Sequence, residues 1–113
     1  MNNNINRIID ESCKIWGVSK EDVFREYRSM PIPLVRAACA WNIVKHLGLG
    51  YSATGRALKK SHTAIIHYMS VYKNEYKYNK DFRIFADKLS EFCFELRNEF
   101  QQELDEELMG IIG

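Results

Sequence analysis

The stretch Ser52-Ala-Thr-Gly-Arg-Ala-Leu-Lys-Lys-Ser-His-Thr-Ala-Ile-Ile-His-Tyr68 decides the fold that the sequence predicts. It indicates a short helix, a tight turn at Leu58-Lys59-Lys60 and a longer second helix. Ser52 and Ser61 are suitable N-caps for these helices, because a serine hydroxyl accepts a hydrogen bond from an amide of the first turn. Two helices joined in this way form a helix-turn-helix, whose second helix commonly lies in the DNA major groove.

The start of that second helix combines cations, hydrogen-bonding groups and a methyl group. The residues concerned are Lys59, Lys60, Ser61, His62 and Thr63. Such groups contact the phosphates and base edges of DNA. Ile65, Ile66 and Met69 follow at helical spacing. They are predicted to pack the helix against its own core.

Composition bounds the class of protein. The 113 residues suffice for one ordinary domain, and 46% apolar with 27% charged residues is typical of a globular chain. Two prolines, six glycines and little strand-like alternation favour an all-α fold. The sequence contains neither a long apolar run nor a signal peptide at its start, so we expect a cytoplasmic protein without a membrane partner. Cys13, Cys39 and Cys93 are interpreted as buried or half-buried thiols in a reducing cytosol.

Charge is distributed unevenly along the chain, although the net charge is only +1. Residues 51–80 carry six basic and one acidic side chain. Residues 81–113 carry three basic and nine acidic side chains. The predicted helix-turn-helix therefore lies in a positive local field, and the C-terminal segment in a negative one.

Apolar spacing predicts the other helices of a small helical bundle. A first helix carries Ile5, Ile8, Ile9, Cys13 and Trp16 and ends at Gly17. A short helix capped by Ser19 is expected to run to about Tyr27. After a loop that contains Pro31 and Pro33, a helix from Leu34 to about Leu47 is apolar around most of its circumference. We expect that helix to be central and buried.

A long amphipathic helix is predicted from Asp81 to Met109. Its apolar stripe is Phe82, Phe85, Leu89, Phe92, Leu96, Phe100, Leu104 and Leu108. The stripe must be buried against another surface. Two alternatives remain open: a homodimer formed through residues 81–109, or folding of the helix back onto its own domain. We divide the chain into a DNA-binding domain at 1–78 and this acidic helix at 79–113.

Several short motifs, at spacings that need no gap, suggest a family. They are Trp16-Gly17-Val18-Ser19, Asp22-Val23, Arg28, Arg36, Trp41, Gly55-Arg56-Ala57-Leu58 and Ser61-His62-Thr63-Ala64-Ile65-Ile66-His67. With these motifs, the chain from about Ile8 to Tyr68 resembles the C-terminal DNA-binding domain of the bacterial replication initiator DnaA. The resemblance covers slightly more than half of the chain.

The resemblance implies a helical fold similar to the Trp repressor, with the second helix of the motif in the major groove. It also implies that Arg28 enters the adjacent minor groove. The residues expected to face bases or phosphates are Lys60, Ser61, His62, Thr63 and Ile66. Ser61 replaces the family's aspartate, which indicates a changed sequence preference because serine also donates. The sequence contains no Gly-x-x-x-x-Gly-Lys-Ser/Thr loop, so we expect no ATPase part.

Our first hypothesis is sequence-preferring binding of double-stranded DNA, in replication initiation or transcription control of a bacterium or phage. Phosphate contacts are assigned to Arg36, Arg56, Lys59 and Lys60. Base specificity is assigned to Ser61, His62 and Thr63. The protein would be cytoplasmic and associated with the nucleoid. The alternative is a degenerate helix-turn-helix that binds a protein partner through the acidic C-terminal helix.

Other readings receive less support from the sequence. No carboxylate pair or nucleophile–base set indicates an enzyme, a small-molecule substrate or a cofactor. His62 and His67 are five residues apart rather than four, which disfavours a metal site. We expect His67 to pack or cap. Tyr68, Tyr72, Tyr76 and Tyr78 could stack bases of a single strand, but packing against the following helix is preferred.

Overall fold

The computed structural model describes residues 2–26 and 28–112, with the backbone alone at residues 2, 100, 101, 103, 111 and 112. Its six helices are α1 (Asn2–Trp16), α2 (Lys20–Phe24), α3 (Ile32–Leu47), α4 (Tyr51–Leu58), α5 (His62–Tyr78) and α6 (Lys80–Ile112). Throughout the described ranges the elements are helices, which confirms the all-α prediction.

The core surrounds α3, which packs against α1, α4, α5 and α6. Val35, Ala38, Cys39 and Ile43 of α3 are fully buried, as the apolar circumference of this helix predicted. Gly48 ends the helix in the left-handed conformation, with φ +69°, which a glycine adopts without a Cβ clash. Because α3 is enclosed, it holds the flanking helices in fixed positions.

The segment around α2 follows the predicted capping pattern but is shorter than expected. The hydroxyl of Ser19 accepts a hydrogen bond from the amide of Asp22 at 3.2 Å. Helix α2 then ends at Phe24. The predicted end at about Tyr27 lies outside the described residues. The five residues of α2 leave its last carbonyl groups in need of partners from elsewhere in the fold.

Of the two serine N-caps that the sequence predicts in the helix-turn-helix, one is confirmed and the other is wrong. Ser61 caps α5, since its hydroxyl accepts a hydrogen bond from the amide of Ala64 at 3.1 Å. The prediction for Ser52 was wrong, because α4 begins at Tyr51 with Gly50 as its N-cap. The nearby Thr54 hydroxyl instead donates to the carbonyl oxygen of Gly50 at 2.9 Å.

Stacked aromatic rings join α3 to α5. The rings of Trp41 and Tyr72 are nearly parallel, at 4.4 Å between centroids, and Tyr76 continues the stack at 5.8 Å from Tyr72. The ammonium of Lys45 lies 5.0 Å above Trp41, and the guanidinium of Arg83 lies 5.8 Å from Tyr76. These contacts agree with the predicted packing role of Tyr72 and Tyr76, because neighbouring groups already cover the ring faces that could stack on bases. Tyr68 is buried as well, whereas Tyr78 is 73% exposed, so its predicted packing against the following helix was wrong.

Helix α6 folds back onto the bundle along its first half. Phe82, Leu89 and Leu96 are buried in the common core, and the ring of Trp16 packs against Phe82 at 5.9 Å. The helix then extends beyond its neighbours, where Leu104 is 39% exposed and Leu108 50% exposed. The predicted stripe therefore splits into a covered half and an uncovered half. The Phe100 side chain of that stripe lies outside the described residues.

The three cysteines are buried thiols, as predicted, and none forms a disulfide. Burial raises the pKa of both Cys39 and Cys93 to about 12. Burial, with the nearby carboxylate of Asp10, also raises the pKa of Cys13. A thiol that stays protonated is a poor nucleophile and a poor metal ligand, so these residues act as small apolar core groups.

Candidate nucleic-acid interface

A close backbone contact joins α4 to α5. The amide of Lys60 donates to the carbonyl oxygen of Gly55 at 2.8 Å. A Cβ at Gly55 would lie only 2.5 Å from the carbonyl oxygen of Lys60, so a glycine is required at this position. Between them Lys59 adopts the left-handed conformation, with φ 57° and ψ 42°, and this reverses the chain. Leu58 of α4 and Ile65 of α5 are both fully buried, and they anchor the two helices to the core.

The start of α5 projects from this support into solvent. Ser61, His62 and Thr63 are all exposed. Ile66, one turn later, is 49% exposed. We call these four residues the tip. The prediction that Ile66 packs in the core was wrong, because Ile65 and Met69 turn inward at this point and leave Ile66 on the outer side of the helix.

Basic and neutral side chains continue the exposed face of α5 beyond the tip. His67, Ser70, Lys73 and Lys77 are exposed along it. Glu75 is the single acidic residue of α5, and it is half-buried, where its carboxylate accepts a hydrogen bond from the Asn79 side chain at 2.9 Å. The outer face of α5 is therefore free of exposed carboxylates, which favours an anionic partner.

A groove of about 760 Å³ runs beside the tip, between the start of α5 and the segment that follows α2. Its lining includes Glu26, Arg28, Lys59, Lys60, Ser61 and His67. Arg28 and Ser61, which are 33 positions apart in the sequence, are thus brought to one surface. His67, predicted to pack or cap, is exposed on this groove, and its position one helical turn after Thr63 is the sequence signal for that placement.

Arg36 does not lie where the sequence hypothesis required. Its side chain is 3% exposed. The guanidinium donates to the carbonyl oxygens of Val23 at 2.8 Å, Asp22 at 3.1 Å and, closely, Arg25. The proposed phosphate contact is corrected accordingly: these buried hydrogen bonds direct the guanidinium to the end of α2, and a phosphate could reach it only by breaking them.

Lys60, like Arg36, donates hydrogen bonds to backbone carbonyl oxygens at the end of α2. Its ammonium donates to the carbonyl oxygens of Phe24 at 2.9 Å and Arg25 at 3.0 Å. Burial, with the Arg36 guanidinium nearby, lowers the pKa of Lys60, and the Glu26 carboxylate partly opposes that shift. We refer to the contacts of Arg36 and Lys60 with the last carbonyl groups of α2 as the clamp. Two of the three ammonium donors of Lys60 are therefore used within the protein, and its predicted phosphate contact stays a prediction.

The remaining predicted cations are accessible. Arg28, Arg56 and Lys59 are exposed, and Arg28 and Lys59 line the groove. The ammonium of Lys59 lies 4.9 Å above the ring of Phe24, in a cation–π contact at an exposed position. The structure thus separates the predicted basic set into three surface cations and two that hold the end of α2.

Two further features concern the described part of the chain. No group of three or more His, Cys, Asp or Glu side chains there has an arrangement suited to a metal ion. None of the helices in that part combines the length and the apolar character needed to cross a bilayer.

Comparison with known proteins gives no family assignment. The chain matches no protein-family model, and no curated protein matches it significantly.

Proposed function

We propose that this protein binds double-stranded DNA, with α4 and α5 acting as a helix-turn-helix and the tip of α5 in the major groove. The observation that carries the proposal is the tip itself: hydrogen-bonding and methyl groups of Ser61, His62, Thr63 and Ile66 are exposed at one helix end. An α-helix about 10–12 Å across fits a major groove about 12 Å wide.

Affinity would come from the surface cations. Arg28, Arg56 and Lys59 surround the start of α5, and Lys73 and Lys77 extend the positive face. The N-terminus of a helix also attracts phosphate, because its first amides carry partial positive charge. Binding of this kind releases counterions, so it should weaken steeply as salt is raised.

Base preference would come from the tip. The imidazole of His62 and the hydroxyl of Thr63 can donate or accept in the groove, and the methyl groups of Thr63 and Ile66 suit the thymine methyl. The hydroxyl of Ser61 accepts the Ala64 amide and keeps its own proton for donation. Arg28, which lines the same groove as Ser61, would reach toward the adjacent minor groove or the sugar–phosphate backbone.

The proposed setting is replication initiation or transcription control in the cytoplasm, on the nucleoid of a bacterium or on phage DNA. It is supported by the resemblance of residues 8–68 to the DNA-binding domain of DnaA. The proposal assigns the chain DNA recognition without a catalytic or ATPase role.

Selection of bound oligonucleotides from a random duplex pool tests this function. The purified chain should enrich a defined sequence and bind it in fluorescence anisotropy. Affinity should fall by orders of magnitude between about 50 and 200 mM salt. The variant Lys88→Ala, which removes an exposed cation on α6, is the matched control and should bind normally. A chain that binds no duplex even at low salt would overturn the proposal.

A second candidate is protein binding through α6, and the exposed Leu104 and Leu108 support it. These side chains lie among Asp105, Glu106 and Glu107, so a basic partner surface would suit them. Pairing of two copies through residues 81–109 would also cover them, and would let two tips contact two half-sites. Sedimentation of the chain, with and without Leu104→Gln, distinguishes a dimer from a monomer that needs another partner.

A further inference from the structure

The clamp joins two segments that the proposed function uses together. Arg36 and Lys60 between them contact four successive carbonyl oxygens, those of Asp22, Val23, Phe24 and Arg25. These are the last carbonyl groups of α2, which a five-residue helix cannot pair within itself. Cations at a helix C-terminus are also favoured by the helix dipole.

Of the two clamp residues, Lys60 is the one that belongs to the proposed helix-turn-helix. It lies in the turn between α4 and α5, one residue before the N-cap Ser61. Its two carbonyl partners immediately precede the segment that carries Arg28. A single ammonium group thus ties the start of the recognition helix to the end of α2, across 36 positions of sequence.

We propose that Lys60 is a positioning residue for DNA binding: through the clamp it holds Arg28 beside the tip, so that both reach one duplex at once. This inference rests on the proposed function. A positioning role and a phosphate contact of Lys60 predict different results when Lys60 is replaced. Loss of Lys60 would remove the contribution of Arg28, rather than one independent ion pair.

The groove geometry supports a fixed spacing between the two contacts. Arg28, Lys60 and Ser61 all line the same groove. Arg36 is buried beneath, where it supports the same carbonyl groups from the core side. An Arg28 side chain that is held in place loses less conformational entropy on binding than one on a loose segment.

A double-mutant cycle on duplex affinity tests the inference. Lys60→Met keeps the aliphatic stem and removes the donors, and Lys60→Arg restores a cation with donors. Lys60→Met should weaken binding by about tenfold or more, with the same loss of salt slope as Arg28→Ala. The double variant Arg28→Ala/Lys60→Met should be no weaker than the weaker single variant. Lys60→Arg should recover most of the affinity.

A second cycle provides the matched control. Arg56 is exposed on α4 and contributes nothing to the clamp. The factors by which Arg56→Ala and Lys60→Met each weaken duplex binding should therefore multiply in the double variant. If Arg28→Ala and Lys60→Met also multiply, each lowering the salt slope by about one, Lys60 contacts phosphate directly and the inference is wrong. Unchanged affinity of a folded Lys60→Met protein would overturn it equally.

Trypsin provides a readout that needs no DNA. Cleavage after Arg25 and Arg28 should be faster in Lys60→Met than in wild type, while Lys88→Ala leaves it unchanged. If the wild-type chain binds no duplex, the proposed function fails, and the trypsin rates still decide whether the clamp holds this segment. Equal rates in Lys60→Met and wild type would show that it does not.

Discussion

Gly55 and Lys60 are in backbone contact. The Lys60 amide donates to the Gly55 carbonyl oxygen at 2.8 Å, and the Lys60 carbonyl oxygen occupies the space where a Cβ on Gly55 would lie. This contact sets the angle between α4 and α5, and therefore the direction in which the tip projects. It joins two backbones, so a side chain cannot be accommodated by a change of rotamer.

Gly55→Ala should destabilise the fold by about 1–3 kcal/mol, because the added methyl group forces the two helices apart. The measurement is the free energy of unfolding from urea denaturation. Gly110→Ala is the matched control, since a Cβ at Gly110 meets nothing within 4 Å. That control should be neutral or stabilising by about 0.5–1 kcal/mol, because alanine favours a helix. Equal stability of the two variants would contradict the required close approach.

Lys59→Gly should be more stable than Lys59→Ala by about 1 kcal/mol, because a residue with a Cβ is strained in the left-handed conformation that Lys59 adopts. Comparing these two variants removes the effects of the lost charge and of the contact with Phe24, which both changes abolish. Thermal unfolding measures the difference. An alanine variant as stable as the glycine variant would mean that this turn does not hold a positive φ in solution.

His62→Ala should cost about 1–3 kcal/mol of binding free energy on the selected DNA sequence and flatten the preference among sequences. The physical reason is the loss of a hydrogen-bonding group at the exposed tip. Anisotropy titrations on the selected duplex and on a scrambled duplex measure both effects. Ser70→Ala, farther along the exposed face of α5, is the control, and it is preferred to His46→Ala because His46 is half-buried. Wild-type preference in His62→Ala would contradict base readout.

Stability should fall as the pH is lowered through the titration of His46. Burial, with the Arg97 guanidinium nearby, lowers the pKa of His46 in the folded state, and its Nδ1 atom makes no hydrogen bond to the described residues. The unfolded chain, with an ordinary histidine pKa of about 6.5, therefore binds the proton more readily. The stabilisation is complete above that value and is lost as the pH falls from it toward the folded pKa.

Urea denaturation between about pH 7.5 and 5.5 measures this dependence, in a range where most carboxylates stay ionised. His46→Gln should flatten the curve. Ser70→Ala, on the exposed face of α5, removes no titratable group and should leave the slope as in wild type. A His46→Gln protein with the wild-type slope would place the pH dependence at another group.

The sequence predicted most local features, because their causes are local. The all-α class, the buried α3, the caps at Ser19 and Ser61 and the helix ends at Gly17 and Gly48 follow from spacing and capping within a few residues. The Ser52 cap failed because Gly50 is the N-cap of α4, two residues earlier, and both serine and glycine are suitable N-cap residues. The packing of Ile66 against the core was also wrongly predicted, because helical spacing alone does not decide whether a residue at the edge of the buried stripe faces the core or the solvent.

The sequence by itself determined which groups are present at the tip of α5: a serine, a histidine, a threonine and basic neighbours at a helix start. Only the tertiary structure decided which cations remain at the surface. Arg36 and Lys60 match Arg56 and Lys59 in charge, yet they contact carbonyl groups of α2 that are up to 36 positions away. The unpaired end of a short helix attracts whichever cation the fold brings near it, and that proximity depends on the packing of α2, α3 and the α4–α5 turn.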